Sequence, residues 1–185
     1  EAEYGAKAKK FQFNAKDFES FDTITRANSA NRVYNAIALY REALAFHQSR
    51  YDTAAIVSLE TNRLKWLEEV STLPNKSTVY INTLKNLKQR YQRHSSSTLI
   101  DFALGYQLYS QGILYEKTRN QQNLLMKQEA ADHCRKAIAA FPKSHGALQC
   151  SSLLENILAQ SVRVKMETYI PVQARARILV EYANL

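Results

Sequence analysis

The feature that most constrains this chain is a rhythm of helix breaks. Turn-forming or polar stretches fall near residues 50, 74, 95, 118 and 142, separated by 24, 21, 23 and 24 residues. Between them apolar residues recur three and four apart, the spacing that lays side chains along one face of a helix. Val33, Ile37, Tyr40 and Leu44 mark the first such face. Ile56, Leu59, Leu64, Trp66, Leu67 and Val70 mark a broader second one. Tyr80, Leu84, Leu87 and Tyr91 follow, then Phe102, Tyr106, Tyr109 and Ile113. Ala130, Cys134, Ala137 and Phe141, and finally Ala147, Cys150, Leu154 and Ile157, complete six helices. A constant pitch of this size predicts stacked antiparallel helix hairpins, a tetratricopeptide-like solenoid. Each helix alone buries too few large side chains to offset its backbone entropy of roughly 1 to 2 kcal/mol per residue, so the stack forms cooperatively.

The punctuation has identifiable chemistry. Pro74 in TLPNK removes a donor and disfavours helix at the residue before it. Ser96 or Ser97 is placed to cap the fourth helix, and Ser144 the sixth. At Ser161 the period changes from helical to two. Val162, Val164, Met166, Thr168 and Ile170 alternate with more polar residues, and after Pro171 a second alternation runs through Ala176, Ile178, Val180 and Tyr182. These are expected to be half-buried strands opening a β-domain, since two strands alone are marginal in water. The expected organisation is therefore residues 1–28 as an N-terminal segment, 29–160 as a helical repeat-like domain and 161–185 as the first strands of a truncated β-domain. Within 1–28, Phe11, Phe13, Phe18 and Phe21 are apolar enough to be pinned on the main body, with a short helix near Ala15 to Thr25.

Composition agrees with a mainly helical protein. Of 185 residues 45% are hydrophobic and 23% charged, with only four Gly and three Pro to make turns. The net charge of +8 raises the question of nucleic acid, but the bases are scattered. Lys85, Lys88, Arg90 and Arg93, and the Lys7, Lys9, Lys10 run, read as solvated faces without a nucleic-acid motif. No apolar run approaches the roughly 20 residues that span a bilayer, so the segment is expected to be soluble.

Cys134 and Cys150 are the chain's two cysteines, each eight residues from Pro142. In an antiparallel pair turning at that proline they lie at similar height, which suits either a disulfide or two adjacent core thiols. Helix axes usually sit about 8 to 10 Å apart, whereas a disulfide needs Cα atoms within about 7 Å. Neighbouring His133 would point about 100° away from Cys134, so a zinc site does not assemble. His47, His94, His133 and His145 lie on separate elements, and Glu68 and Glu69, being adjacent, are expected to diverge on their helix. No phosphate loop is present, so neither enzyme activity nor a cofactor is expected. For peptide capture in the groove of the stack, Tyr34, Arg41, Lys85 and Arg93 are candidate side chains.

Two resemblances refine these expectations. Leu104 and Gly105, followed by Ala130, Ala137, Phe141 and Pro142, resemble a tetratricopeptide repeat with a lengthened helix pair. More specifically, Phe141, Pro142, Ser144, Gly146, Ala147 and Cys150, followed by the strand pair ending in Val180, Tyr182 and Asn184, resemble a junction in large bacterial alpha-2-macroglobulin-like proteins. There an N-terminal helical region runs into the first macroglobulin β-domain. The resemblance covers about the last 50 residues. It implies a non-catalytic scaffold of an exported envelope or periplasmic protein, facing a protein partner or later domains of its own polypeptide, possible service in a protease-inhibitor system included. The family's Cys-x-Glu-Gln thioester is not carried by either cysteine, because Cys134 precedes Arg-Lys-Ala and Cys150 precedes Ser-Ser-Leu.

Overall fold

The protein is seen in a computed structural model that describes residues 15–19, 32–118, 125–167, 169 and 177–183. Phe11, Phe13, Phe21, Thr168, Ile170, Pro171, Ala176 and Asn184 lie outside the described residues. The described part is mainly helical. Its elements in chain order are α1 (Ala15–Glu19), α2 (Arg32–Ser49), α3 (Thr53–Val70), α4 (Lys76–Tyr91), α5 (Ser97–Thr118), α6 (Met126–Ala140) and α7 (His145–Leu158). A hairpin of β1 (Ser161–Met166) and β2 (Ile178–Ala183) follows. The six expected helices are thus present, with the short α1 as a seventh. Of the helix anticipated from Ala15 to Thr25, only Ala15–Glu19 falls among described residues.

Each break in helix has a local cause. After α2 the amides of Tyr51 and Asp52 turn back to the carbonyls of Gln48 and His47, which closes the helix end. Tyr51 takes φ 56° there, a conformation usually left to glycine, and its ring is exposed. Asp52 then caps α3, its carboxylate accepting from the Ala55 amide at 3.2 Å. Ser144 caps α7 as expected, accepting from the Ala147 amide at 3.3 Å. Ser97 opens α5 from a buried position, and the carbonyl of Ser96 accepts from Leu99.

Two apolar clusters meet on α5. The first draws Phe18, Ile37, Val57, Leu64, Leu67, Tyr80, Leu84, Leu87, Ile100 and Leu104 from α1 to α5. The second, built from Leu108, Ala130, Cys134, Ala137, Cys150, Leu153 and Ile157, belongs to α5, α6 and α7. Consecutive helices pack on one another from α2 onward, and α5 also touches α3 and α7. The fully buried face of α5 is Ile100, Leu104 and Leu108; of the expected Phe102, Tyr106, Tyr109 and Ile113, Phe102 and Tyr109 pack partly buried against the second cluster and Tyr106 is exposed. This helix is apolar on several sides, so its period alone does not say which side is innermost.

Phe18 is fully buried, and this pins α1 to the other helices. Buried Arg63 reinforces it, donating to the carbonyls of Asp17 at 3.3 Å and Phe18 at 3.0 Å while pairing with Glu60 at 2.7 Å. The guanidinium thereby satisfies the C-terminal carbonyls of a helix too short to stand alone.

The hairpin is antiparallel, with Val164 opposite Val180, Lys165 opposite Leu179 and Met166 opposite Ile178. Lys165 and Glu181 form an ion pair at 2.8 Å. The expectation of half-buried strands is not met. Val162, Val164, Met166, Ile178, Leu179 and Val180 are all more than half exposed, so neither face is covered. Two strands give each other backbone partners but no shelter for an apolar face.

Helices α7 and α5 approach one another closely at Gly146. A Cβ placed on Gly146 would stand 2.3 Å from the Thr98 carbonyl carbon and 2.4 Å from the Leu99 nitrogen. Both are backbone atoms that cannot rotate away. Gly112 of α5 is the next closest approach, with a Cβ there 2.6 Å from the Lys127 side chain of α6, and at Gly105 a Cβ would stand 3.2 Å from the Cys134 sulfur. Gly146→Ala is therefore expected to destabilise the chain by about 2 to 3 kcal/mol, as overpacked sites do. At roughly 2 to 4 °C per kcal/mol for a chain of this length, calorimetry should show Tm several degrees lower, and an unchanged Tm would contradict the packing described.

Candidate functional site

A groove of about 420 Å³ runs across α3, α5 and α7. On α3 one face supplies Ser58, Thr61, Asn62, Lys65, Glu68 and Glu69, three and four residues apart. From Ser58 to Glu69 that face extends roughly 16 Å at the helical rise of 1.5 Å per residue. Helix α5 contributes Leu99 and the two i,i+4 pairs Phe102–Tyr106 and Ala103–Gln107. Helix α7 contributes His145 and Gln149, and Tyr80 of α4 closes the groove beside the two glutamates.

The lining divides by chemistry. The Phe102 and Tyr106 rings lie 6.1 Å apart with their planes tilted by 40°, Tyr106 half exposed, and form an aromatic floor. Asn62, Gln107 and Gln149 place one amide from each of the three helices along it. Each amide offers both donors and an acceptor. Tyr80 is only 4% exposed, and burial first and the charges of Glu68 and Glu69 second push its hydroxyl pKa upward. Glu68 accepts a hydrogen bond from the Ser77 hydroxyl at 3.0 Å.

On α5, away from this groove, sits a buried carboxylate, Asp101. The Lys88 ammonium of α4 donates to it, and the same ammonium lies 3.4 Å from the Ser97 hydroxyl. His133 Nδ1 of α6 is 3.6 Å from its other oxygen. The carboxylate thus ties three helices together. Removing one partner of such a buried pair typically costs about 3 to 5 kcal/mol, because the other charge is left stranded.

Cys134 and Cys150 lie in the second core cluster as fully buried free thiols. The hydrogen bond from the Cys150 thiol favours a thiolate at Cys134, against burial and the Asp101 charge. The same bond, with burial, keeps Cys150 protonated. Among the described residues no group of three or more metal-binding side chains converges.

The residues singled out from sequence are distributed as follows. Tyr34, Arg41, Lys85 and Arg93 lie outside the groove lining. The four histidines occupy separate places, with His47 3.1 Å from Asp52, His94 accepting from the Ser96 amide, His133 beside Asp101 and His145 in the groove. Glu68 and Glu69, expected to point apart on their helix, both line the same cavity. Two side chains 100° apart on a helix still reach one groove when neighbouring helices wall it on both sides. Sequence reasoning missed Asn62, Phe102, Tyr106, Gln107 and Gln149 as a set. The one signal available was the i,i+4 spacing of Phe102 and Tyr106, which reads equally well as a core stripe.

No known protein family, characterised protein or solved structure matches this chain.

The buried placement of both sulfurs has a direct chemical consequence. A thiol reagent added to the native, unreduced protein should react slowly, and after denaturation should titrate two thiols promptly. A count of zero in denaturant would mean that the sulfurs are bonded to one another.

Proposed function

We propose that this protein is a non-catalytic, tetratricopeptide-like helical scaffold whose groove across α3, α5 and α7 holds an extended peptide segment of a protein partner. The observation that carries this reading is the alignment of Asn62, Gln107 and Gln149 beside the aromatic floor of Phe102 and Tyr106. An extended peptide presents alternating N–H and C=O groups, and side-chain amides complement both. The aromatic rings supply the contact area in which binding energy concentrates. A face of roughly 16 Å along α3 matches about five extended residues at ~3.3 Å each, and the volume falls in the range of about 300 to 1,000 Å³ common to ligand clefts. The alternation of helices, with α3, α5 and α7 as successive neighbours on one side, supports the repeat architecture in which such grooves arise.

The reading is tested by selecting random 12-residue displayed peptides on the immobilised full chain. Enriched peptides should bind Tyr106→Ala and Gln107→Ala at least tenfold more weakly, a loss of about 1.4 kcal/mol or more, with thermal stability retained. Enrichment of nothing, or equal binding to wild type and both variants, would overturn the groove as a binding site.

A second reading takes the helices as the leading region of an alpha-2-macroglobulin-like envelope protein, and the hairpin favours it. Its apolar residues, Val164 and Val180 among them, are exposed on strands that pair only with each other among the described residues. An apolar strip of this kind gains about 25 cal/mol per Å² when further sheet or a packed neighbour covers it. In a longer gene product the amides of Val164 and Val180 should exchange hydrogen far more slowly than in this chain. Equal exchange in both would remove the support that the hairpin gives.

A further inference from the structure

The end of the groove next to α4 holds charge that no cation among the described residues pairs with. Glu68 and Glu69 both line the cavity, and neither forms an ion pair among the described residues. The cations within reach are otherwise disposed. Lys65 lies one turn earlier on the same face without pairing with either carboxylate, and the Lys76 ammonium donates to the backbone carbonyl of Glu69 at 3.5 Å. Ser77 occupies one oxygen of Glu68 and leaves the rest of that carboxylate open.

The second observation is Tyr80. Its side chain is more than nine-tenths buried and lines the cavity, yet its hydroxyl has no hydrogen-bond partner among the described residues. The ring is held in the core while the oxygen opens onto the cavity beside two carboxylates, where a donor entering the groove can reach it. The lining therefore offers three oxygen sites: one on each glutamate and one on the phenol. A tetrahedral ammonium carries three donors on a compact charge and can serve all three, whereas a planar guanidinium is suited to two parallel bonds in one plane.

We propose that the Glu68, Glu69 and Tyr80 end of the groove is a recognition pocket for a primary ammonium group, carried by a lysine side chain or the N-terminus of the bound peptide. This rests on the peptide reading above and adds its chemical selectivity. Lys65, farther along the same face of α3, gives the groove an opposite charge beyond the pocket. A bound segment would thus be oriented, its ammonium toward α4.

The test uses the full chain and small probes in place of a peptide. N-acetyl-lysine methylamide presents only a side-chain ammonium, norleucine methylamide only an α-ammonium, and N-acetyl-norleucine methylamide neither. With the tyrosine rings carbon-labelled, at least one of the two ammonium probes should shift the Tyr80 ring signals saturably by nuclear magnetic resonance. The uncharged probe should not. Which ammonium probe binds identifies the source. The response should fall at least fivefold in Glu69→Gln, an exposed position where folding is not at risk, and in Tyr80→Phe, which keeps the ring. Equal shifts from all three probes, no shift from either ammonium, or a response unchanged in Glu69→Gln would each overturn the pocket. Its failure is separable from that of the peptide groove. Selected peptides that lack lysine and bind equally well with the N-terminus acetylated would sink the pocket alone, whereas ammonium binding with no peptide enriched would sink the groove alone.

Discussion

The architecture depends on how closely α7 can approach the backbone of α5. At Gly146 the helices meet with no room for even a methyl group, since a Cβ would fall within 2.5 Å of Thr98 and Leu99. Such contact requires the start of α7 to be placed to a fraction of an ångström. The polar groups at the same point supply that placement. Ser144 caps α7 and its hydroxyl lies 2.8 Å from that of Thr98, while Thr98 in turn donates to the Ser95 carbonyl. The cap of one helix is thereby bonded to the first turn of another. Pro142, just before it, prevents α6 from running on and fixes where the chain must reverse.

From that contact the rest follows in order. With α7 held at the start of α5, Cys150 comes against Cys134 of α6, and Gly105 leaves space for the Cys134 sulfur. Small residues on α6, Ala130, Ala131 and Ala137, keep the third helix equally close. The second core cluster is thus built largely of alanine and cysteine, together with Leu108, Leu153 and Ile157. The first cluster, by contrast, is filled with leucine, isoleucine and aromatic side chains. Larger side chains hold helices farther apart, and the groove opens where α3 flanks the more tightly packed α5 and α7.

Much of this was legible in the sequence, and for definite reasons. The six long helices follow from the breaks, because Pro74, the serine run before Leu99 and the Pro142–Ser144 turn each act on the backbone locally. The change of period at Ser161 located β1 and β2 for the same reason. What could not be read was which side of α5 faces inward. Ile100, Leu104 and Leu108 form one apolar stripe and Phe102, Tyr106 and Tyr109 another, and only the partners in space decide between them. The groove was hidden by the same ambiguity, since its aromatic floor is the stripe expected to be core. The hairpin shows the converse limit. Alternation correctly gave the strands but not their burial, because burial belongs to the surface opposite and not to the strand.

The acidic residues separate the parts of the molecule that stabilise it from those left for something else. Asp101 is buried, and the protein surrounds it with Lys88, Ser97 and His133 from three elements. Arg63 is buried, and its donors are spent on Glu60 and on the end of α1. Both follow the rule that a charge removed from water must be matched by its own fold. Glu68 and Glu69 stand beside the Tyr80 hydroxyl, yet no cation of the described chain pairs with them. Glu69 is exposed and Glu68 only partly buried, so the fold does not require a partner for either, and both remain available to a group that enters the cleft. A site whose purpose was stability would gain from a lysine there, and one meant to receive a cation would lose its function by having it.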